Sequence, residues 1–414
     1  MARWWAAHDN PSMGTYAAAF SVAEFRALLG GHCLSIAGKN LQQLAVASLV
    51  FAATGSPLLT AVSFLLGVLP QVLVALTVMS LADRLPARAA LTAWEVARVA
   101  ALALMASGLL PIAGVLVLVL VLGMGAAVEI AVRQALVSDV LGPEQYVTGR
   151  ALLNVVIGVM QILGYAAGGV LIASVGATGA LWAAAGASAV AVLINRLGLR
   201  PRPARTGSRS AMRATWEGNR ALFRDRRVRG LLLAHWLPNG MIVGAEALYV
   251  PFAGGWAGAL FVAAGAGMLA GDLAVGWLSP RRRGALILPL SVLLAVPYLL
   301  FFVLSPGWPA LVAVAVASAG FGSTLAIQER LLTVVPERLR GQGLGLATSG
   351  MMTMQAVAAA VTGTLAELTS AGTAMALAGA GSLVLTVALF RSVRPGWRPA
   401  GTGGQTAPAA VSHR

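Results

Sequence analysis

Charged residues are scarce in this chain. Only 10% of its 414 residues are charged, whereas 58% are hydrophobic, and the mean hydropathy is +0.82. Soluble domains carry about 25% charged residues, so no soluble core could hide this much apolar surface. Lipid must act as the solvent for most of the chain, and the sequence therefore predicts an integral membrane protein.

Cysteine and phosphate-binding motifs are also missing. The single cysteine, Cys33, lies in an apolar stretch, which excludes a disulfide framework and a C-x-x-C metal motif. The G-x-x-x-x-G-K-[ST] loop of ATP-driven proteins is absent, because Lys39 is the only lysine in the chain. No zinc or catalytic-triad pattern stands out. We therefore expect no metal, no other cofactor and no enzyme activity.

Positive charge is plentiful but is spread along the chain. The formal net charge is +15, and 28 of the 29 basic residues are arginine, since only Lys39 is lysine. Nearly all of these arginines lie in short polar connectors between apolar runs, not in one patch of a folded domain. A nucleic-acid partner is therefore not expected.

Twelve apolar runs have about the 20 residues that a helix needs to cross a bilayer. They are continuously apolar and not alternating, which favours helices over a β-barrel. The fold class predicted is an all-α membrane protein with twelve transmembrane helices in two six-helix pseudo-repeats. The predicted spans are 26–51, 58–80, 89–110, 113–136, 150–173, 177–198, 229–252, 256–278, 285–304, 308–331, 343–366 and 372–391.

Arginine occurs in every second connector. The connectors near Gly55, Pro111, Gly176, Gly254, Pro306 and Gly372 contain neither lysine nor arginine. Because short loops rich in lysine and arginine stay in the cytoplasm, the arginine-bearing connectors are predicted to be cytoplasmic. The chain is then a multi-pass protein of the cytoplasmic membrane with both termini on the cytoplasmic side.

A long basic segment divides the spans six and six. We expect an amino-terminal half over 1–198, a cytoplasmic basic linker over 199–228 with a short amphipathic helix, a carboxy-terminal half over 229–392 and a disordered tail over 393–414. The halves echo each other, since both the fourth and the tenth span are followed by an arginine and then by Pro-Glu. Repeated halves are a transporter architecture, with the substrate site between them.

Short motifs in a fixed order carry a family resemblance. They are Phe25-Arg26 through Ser35 and Gly38, Thr54-Gly55-Ser56-Pro57, Asp83-Arg84 with Arg88, Arg133-Gln134-Ala135-Leu136 with Asp139, and Pro336-Glu337-x-x-Arg340-Gly341. Together they resemble the major facilitator superfamily, and more narrowly its drug and metabolite exporter branch of macrolide and siderophore exporters. The resemblance covers nearly the whole chain and implies export of a small molecule by alternating access.

The fifth span contains a second resemblance. Residues 164–169, which read Gly-Tyr-Ala-Ala-Gly-Gly, resemble the antiporter motif G-P-x-x-G-G of exporters, with Tyr165 in place of the proline. The motif residues are Gly164, Tyr165, Gly168 and Gly169. The alternative interpretation is that the small residues only let two helices approach closely.

An inner gate is implied by the signature between the second and third spans. Asp83, with Arg84 and Arg88 beside it, is expected to face the amino terminus of the eleventh helix, where Arg340 lies. A carboxylate at a helix amino terminus is stabilised by ~0.3–1 kcal/mol. The alternative is that Asp83 and Arg84 are solvated loop residues.

Lys39 and Glu246 are charges inside the first and seventh spans, which are repeat partners. A mid-bilayer cation costs ~2.5–3.5 kcal/mol, so each residue needs a partner, a cavity or a function. We expect the two to face each other or to share the central cavity. The alternative is a fixed salt bridge that joins the halves. Further candidates for cavity lining or proton coupling are His32, Asn40, Gln43, His235 and Asn239.

Two other acidic residues have basic neighbours on their own helix. Glu95 and Arg98 are three residues apart and are expected to pair locally. Glu129 and Arg133 are four apart, and we expect an interfacial pair close to the inner surface.

These patterns predict a secondary active transporter. It exports a small, largely hydrophobic molecule, such as a drug or natural product, in exchange for protons, and acts as a monomer in the lipid bilayer. An importer or uniporter of the same fold remains an alternative, as does a sensor or assembly protein on a transporter scaffold.

Overall fold

The computed structural model describes residues 19–67, 85–141, 143–203, 210–336 and 339–393. Regular structure in these ranges is helical throughout. The α-helices are α1 (Ala23–Thr54), α2 (Pro57–Leu66), α3 (Ala87–Ala106), α4 (Ile112–Val140), α5 (Pro143–Gly198), α6 (Ser210–Arg224), α7 (Arg226–Glu246), α8 (Tyr249–Ala253), α9 (Ala257–Gly276), α10 (Pro280–Ala295), α11 (Trp308–Ala319), α12 (Gly322–Val334), α13 (Arg340–Leu368) and α14 (Ala371–Val393). Short 3-10 segments, Gly254–Trp256 and Val296–Phe302, follow α8 and α10.

The twelve-helix fold is confirmed. Eight described segments are long and apolar enough to cross a membrane. Two of them, Val159–Gly198 with 40 residues and Arg226–Gly276 with 51, have the length of two crossings each. Each is interrupted by a glycine in the left-handed region, Gly176 with φ 74° and Gly254 with φ 51°. The remaining spans are α1, with 32 residues, and the second span, of which the structure describes α2.

The turn between α1 and α2 shows how the sequence ends one span and begins the next. Gly55 closes α1 in the left-handed conformation with φ 65°, and its N–H donates to the Phe51 carbonyl. Ser56 then caps α2, because its Oγ accepts from the Leu59 N–H at 3.0 Å, and Pro57 occupies the first helical position. The second span is thereby fixed at the arginine-free end.

The two halves pack their helices in the same way. In the amino-terminal half α1 lies against α5, and in the carboxy-terminal half α7 lies against α13 and α14. Similarly, α2 contacts α4, while α9 contacts α11 and α12. This equivalence is what the predicted pseudo-repeat requires, since the first and seventh spans occupy matching places.

The halves meet through small residues near the arginine-free ends of the helices. Gly169 of α5 crosses Gly258 of α9 so closely that a Cβ on Gly169 would lie 2.9 Å from the Gly258 Cα. Likewise, a Cβ on Gly363 of α13 would lie 3.0 Å from the Leu58 Cα of α2. Contacts this close admit only glycine, so the two halves are closed together on the side that the sequence predicts to face outward.

The basic linker contains the expected amphipathic helix, α6. Leu222 is buried, and Phe223 stacks on Trp236 of α7 with ring centroids 5.7 Å apart. Asn219 accepts a hydrogen bond from Gln342 of α13 at 3.0 Å. The helix is therefore docked on the arginine-bearing end of the carboxy-terminal half.

Candidate functional site

A cavity opens among α1, α2, α3 and α4. The space that protein atoms leave free there, counting the mouth, is about 590 Å³. Its described lining comes entirely from the amino-terminal half, whereas the sequence predicts a site between the halves. The polar lining residues are Ser35, Lys39, Gln42, Gln43, Ser63, Arg98 and Glu129. The apolar walls are built by Val46, Phe64, Trp94, Val119, Leu122 and Ala126.

One side of α1 supplies most of the polar groups. Ser35, Lys39, Gln42 and Gln43 follow a spacing of three to four residues, so they share one helix face, and this face is directed at α3 and α4. The seventh span, where the sequence predicts the partner of Lys39, belongs to the other half. The rotation of α1 therefore directs Lys39 into a cavity of its own half and not toward the seventh span.

Glu95 and Arg98 form the predicted local pair. The Arg98 Nη1 lies 3.3 Å from the Glu95 Oε2, and both side chains are buried. The same nitrogen also donates to the Ser35 Oγ at 3.1 Å. The other terminal nitrogen, Arg98 Nη2, is buried and has no hydrogen-bond partner in the described part of the chain.

Glu129 and Arg133 also pair, but the expectation of an interfacial pair is wrong. The Arg133 Nη2 lies 2.6 Å from the Glu129 Oε1, and Arg133 is only 2% exposed. Arg133 Nη1 also donates to the Leu28 carbonyl of α1 at 3.1 Å. Packing of α4 against α1 closes off the route by which the guanidinium would otherwise reach the surface.

Lys39 and Glu246 do not form the expected direct pair. Among the described residues Lys39 makes no ion pair, and Glu129 is the carboxylate within its electrostatic range. Glu246 ends α7 in the other half. The two residues have similar predicted depths, but depth does not fix the direction in which a side chain points.

Glu246 lies in a group of tyrosines. Its Oε1 is buried and has no hydrogen-bond partner in the part of the chain that the structure describes. The hydroxyls of Tyr165, Tyr249 and Tyr298 are within electrostatic range of this carboxyl. Tyr249 and Tyr298 share a hydrogen bond of 2.6 Å between their hydroxyls. Glu246 is thus a carboxyl beside the contact of the halves that has no counter-ion among the described residues.

Tyr165 of the antiporter-like motif connects this group to the cavity. Its hydroxyl donates to the Oε1 of the cavity residue Gln43 at 3.0 Å. Its ring stacks on Phe261 of α9, in the other half, with centroids 4.5 Å apart. The motif's tyrosine therefore contacts both halves, a role that the comparison with a proline motif does not predict.

The motif glycines allow close helix approach. A Cβ on Gly164 would lie 3.0 Å from the Asn40 Cβ, and one on Gly168 would lie 3.2 Å from the Leu44 Cδ2, both on α1. Gly169 faces Gly258 of the other half. This geometry is the one that the small-residue interpretation expects.

Asn40, His235 and Asn239 are held by neighbouring helices, whereas the His32 Nδ1 is buried without a hydrogen-bond partner among the described residues. Asn40 donates to the Met160 carbonyl at 3.3 Å, and His32 is buried within electrostatic range of Arg133 and Glu129. In the other half, His235 Nε2 lies 3.4 Å from Gln328 Nε2, while Asn239 accepts from Gln355 at 3.1 Å. His235 and Asn239 therefore connect α7 to α12 and α13.

The inner gate stays a prediction. Asp83 and Arg84 lie outside the described residues, as does the second span beyond residue 67. Of the other two gate candidates, Arg88 lies in the first turn of α3, and Arg340 begins α13 with an exposed side chain.

Sequence reasoning missed a polar contact at the opposite end. Glu367, near the carboxy terminus of α13, accepts hydrogen bonds from the Ser56 Oγ and from the Leu58 N–H, the latter at 3.2 Å. A carboxylate of one half thus caps a helix of the other half. The only signal in the sequence is that Ser56-Pro57 is a helix start, which leaves the capping partner unknown.

Comparison with known proteins agrees with this architecture. Residues 28–329 match the family model described as Major Facilitator Superfamily, and no curated protein matches the chain. The structure resembles the nucleoside transporter NupG with a TM-score of 0.71, at 13% identity over 90% of this chain and 99% of that one.

Two further solved structures have the same fold. The human organic anion transporter MFSD10 (TETRAN) gives a TM-score of 0.59 at 17% identity, over 89% of this chain and 99% of that one. A bacterial homologue of the human lysosomal transporter Spinster, inward-facing and unoccupied, gives a TM-score of 0.63 at 14% identity, over 89% of this chain and 94% of that one. Since the family match covers more than half of the sequence and the twelve-helix architecture agrees with it, the chain belongs to the Major Facilitator Superfamily.

Proposed function

We propose that this protein exports a small, largely hydrophobic molecule in exchange for protons. The superfamily and the fold support secondary transport of a small molecule across a membrane. The exporter branch is supported by the motifs of the first and fifth spans. The apolar walls of the cavity, with Phe64 and Trp94 among them, suit a hydrophobic guest.

The observation that carries proton coupling is the state of Glu246. Its carboxyl has a buried oxygen without a hydrogen-bond partner among the described residues, and the hydroxyls of Tyr165 and Tyr249 are within its electrostatic range. A carboxylate without a counter-ion in a dry site is costly, so a group of this kind is suited to carry a proton whenever it is enclosed. Its place beside the contact of the halves links that proton to alternating access.

Closure on one side supports an alternating mechanism. The Gly169–Gly258 crossing and the Glu367 cap keep the halves together at the arginine-free ends. Two halves that rock about a shared site must break and remake such contacts in each cycle. We assign this contact region to the outer gate, with both termini and the basic linker in the cytoplasm.

The experiment uses purified protein in liposomes that contain the pH dye pyranine. A panel of hydrophobic drugs and natural products is tested for uptake against an imposed pH gradient and for the proton flux that accompanies uptake. Antiport is expected to move protons opposite to the compound, and Glu246→Gln is expected to abolish this flux. Glu329→Gln, at a partly exposed carboxyl paired with Arg283, is the matched control.

Other outcomes identify the alternatives. Protons that move with the compound indicate an importer, and equilibration without proton movement indicates a uniporter. Wild-type proton flux in the Glu246→Gln variant contradicts the role assigned to Glu246. No movement of any compound favours a sensor or assembly protein.

A further inference from the structure

Lys39 is a positively charged donor of the cavity without an acceptor among the described residues. It lines the cavity and makes no ion pair there. Arg98 lines the same cavity, but its Nη1 already donates to Glu95 and Ser35, and its Nη2 is enclosed by protein and closed to a guest. A donor without an acceptor away from water costs ~1–3 kcal/mol, and a guest in the cavity can supply the acceptor that Lys39 lacks.

The described charged groups at the cavity carry a net positive charge. Glu95 with Arg98 and Glu129 with Arg133 are two balanced pairs. Among the described residues Lys39 is then one positive charge in excess. Glu129 is within its electrostatic range but makes its ion pair with Arg133, whose Nε donates to the Glu129 Oε1 at 2.6 Å.

We propose that this cavity binds an amphipathic organic monoanion, a carboxylate on an aromatic or aliphatic body. The carboxylate lies at the Lys39 Nζ and supplies the acceptor that this donor lacks. The apolar body lies against Trp94 and Phe64. The proposal rests on the transport function proposed above and names the class of its substrate.

The chemistry of the walls selects for this class. A doubly charged guest would leave one charge unpaired among Val119, Leu122 and the aromatic rings, which is costly in a dry site. A neutral guest of the same shape would leave Lys39 without an acceptor. A single anionic head on an apolar body satisfies both regions of the lining.

The test compares a carboxylate with its uncharged isostere. Equilibrium binding of 2-naphthoate and 2-naphthamide is measured on the full-length protein in lipid nanodiscs, without any gradient. We expect 2-naphthoate to bind about tenfold or more tightly than 2-naphthamide, as one charge-assisted contact provides. Equal binding of the two compounds by the wild type overturns the proposal and needs no variant.

Variants then locate the site. Lys39→Met should remove the preference for 2-naphthoate, whereas Lys39→Arg and the exposed control Arg281→Gln should keep it. A Lys39→Met protein that folds and retains the preference places the anion elsewhere and overturns the proposal. Ala126→Cys, in a Cys33→Ala background, adds a measurement that leaves Lys39 intact. Its thiol reagent labelling should be slowed by 2-naphthoate more than by 2-naphthamide, and equal labelling rates exclude this cavity.

The result is separable from the proton mechanism. If 2-naphthoate binds as expected but no proton flux accompanies transport, the site stands and antiport fails. If a neutral compound is exchanged for protons while 2-naphthoate shows no preference, antiport stands and the anion site fails.

Discussion

The two halves of this protein share a helix arrangement but treat charge differently. In the amino-terminal half, Glu95, Arg98, Glu129 and Arg133 are buried as two ion pairs, and Lys39 stands beside them in a cavity. In the described carboxy-terminal half, buried polar contacts are made by uncharged groups, and the Arg283–Glu329 pair is partly exposed. Equivalent backbones thus provide two different chemical environments.

On the proposed function, this difference separates two tasks of a transporter. A network of fixed charges around a cavity is suited to hold a guest, because its donors are positioned before binding. A carboxyl such as Glu246, without an ionic partner among the described residues, is suited to exchange a proton. The proposal therefore assigns binding to one half and coupling to the other.

The strongest test of this comparison removes one carboxylate from each half. Glu129→Gln leaves Arg133 buried without its counter-ion, and breaking a buried pair costs ~3–5 kcal/mol. Glu246→Gln replaces a carboxyl that has no ionic partner among the described residues and should leave stability unchanged or raise it. Thermal unfolding in detergent measures both. Similar losses in the two variants would show that the halves treat charge alike.

A second test concerns the contact between the halves. Gly169→Leu places a side chain against the backbone of Gly258, and overpacking of this kind costs ~1–3 kcal/mol. We expect transport to fall more than the yield of folded protein, because each half keeps its own core. Gly186→Leu is the control, since a Cβ there meets nothing within 4 Å and the position is exposed. Equal transport by the two variants would mean that the crossing is not used in the cycle.

A third test removes the carboxylate that caps α2 across the halves. Glu367→Gln weakens the hydrogen bonds to Ser56 and Leu58, and loss of a cap costs ~0.5–2 kcal/mol. Spin labels at the exposed positions Leu59 and Leu368, in a Cys33→Ala background, report the separation of α2 and α13. We expect longer distances in the variant, and an unchanged distribution would make Glu367 a surface residue without a gating role.

The smallest effect is expected at Tyr165. Tyr165→Phe keeps the stacking on Phe261 but loses the hydrogen bond to Gln43, which contributes about 0.5–1.5 kcal/mol. Stability should fall by that amount while coupling between guest binding and proton release weakens. Proton release per molecule bound is measured by titration in weak buffer. A wild-type value in the variant would remove Tyr165 from the connection between the halves.

The fold could be predicted because lipid imposes simple rules on a sequence. Run lengths set the spans, and the glycines that interrupt the long helices, such as Gly176, already stand out between apolar runs. The local pair of Glu95 and Arg98 was equally predictable, since helix geometry fixes residues three apart.

The site was harder to predict because it depends on directions across helices. Lys39 and Glu246 share a depth, but the rotation of α1 directs Lys39 toward α3 and α4. Tyr165 was expected to mark a motif, yet its partners Gln43 and Phe261 come from helices distant in sequence. No periodicity within one helix specifies such partners.

The hydrogen bond between Gln43 and Tyr165 couples the affinity for a guest to the opening of the contact between the halves. Gln43 lies one helical turn from Lys39 and bonds Tyr165, whose ring packs on the other half, so a guest beside Lys39 is connected to the closed contact of the halves through these two side chains. By thermodynamic linkage, any free energy by which the guest changes that contact equals the free energy by which opening changes the guest's affinity. A bond of about 0.5–1.5 kcal/mol corresponds to a two- to tenfold change in affinity. The ratio of the guest's affinities for closed and for opened protein therefore also gives the free energy by which the guest changes the opening of the gate.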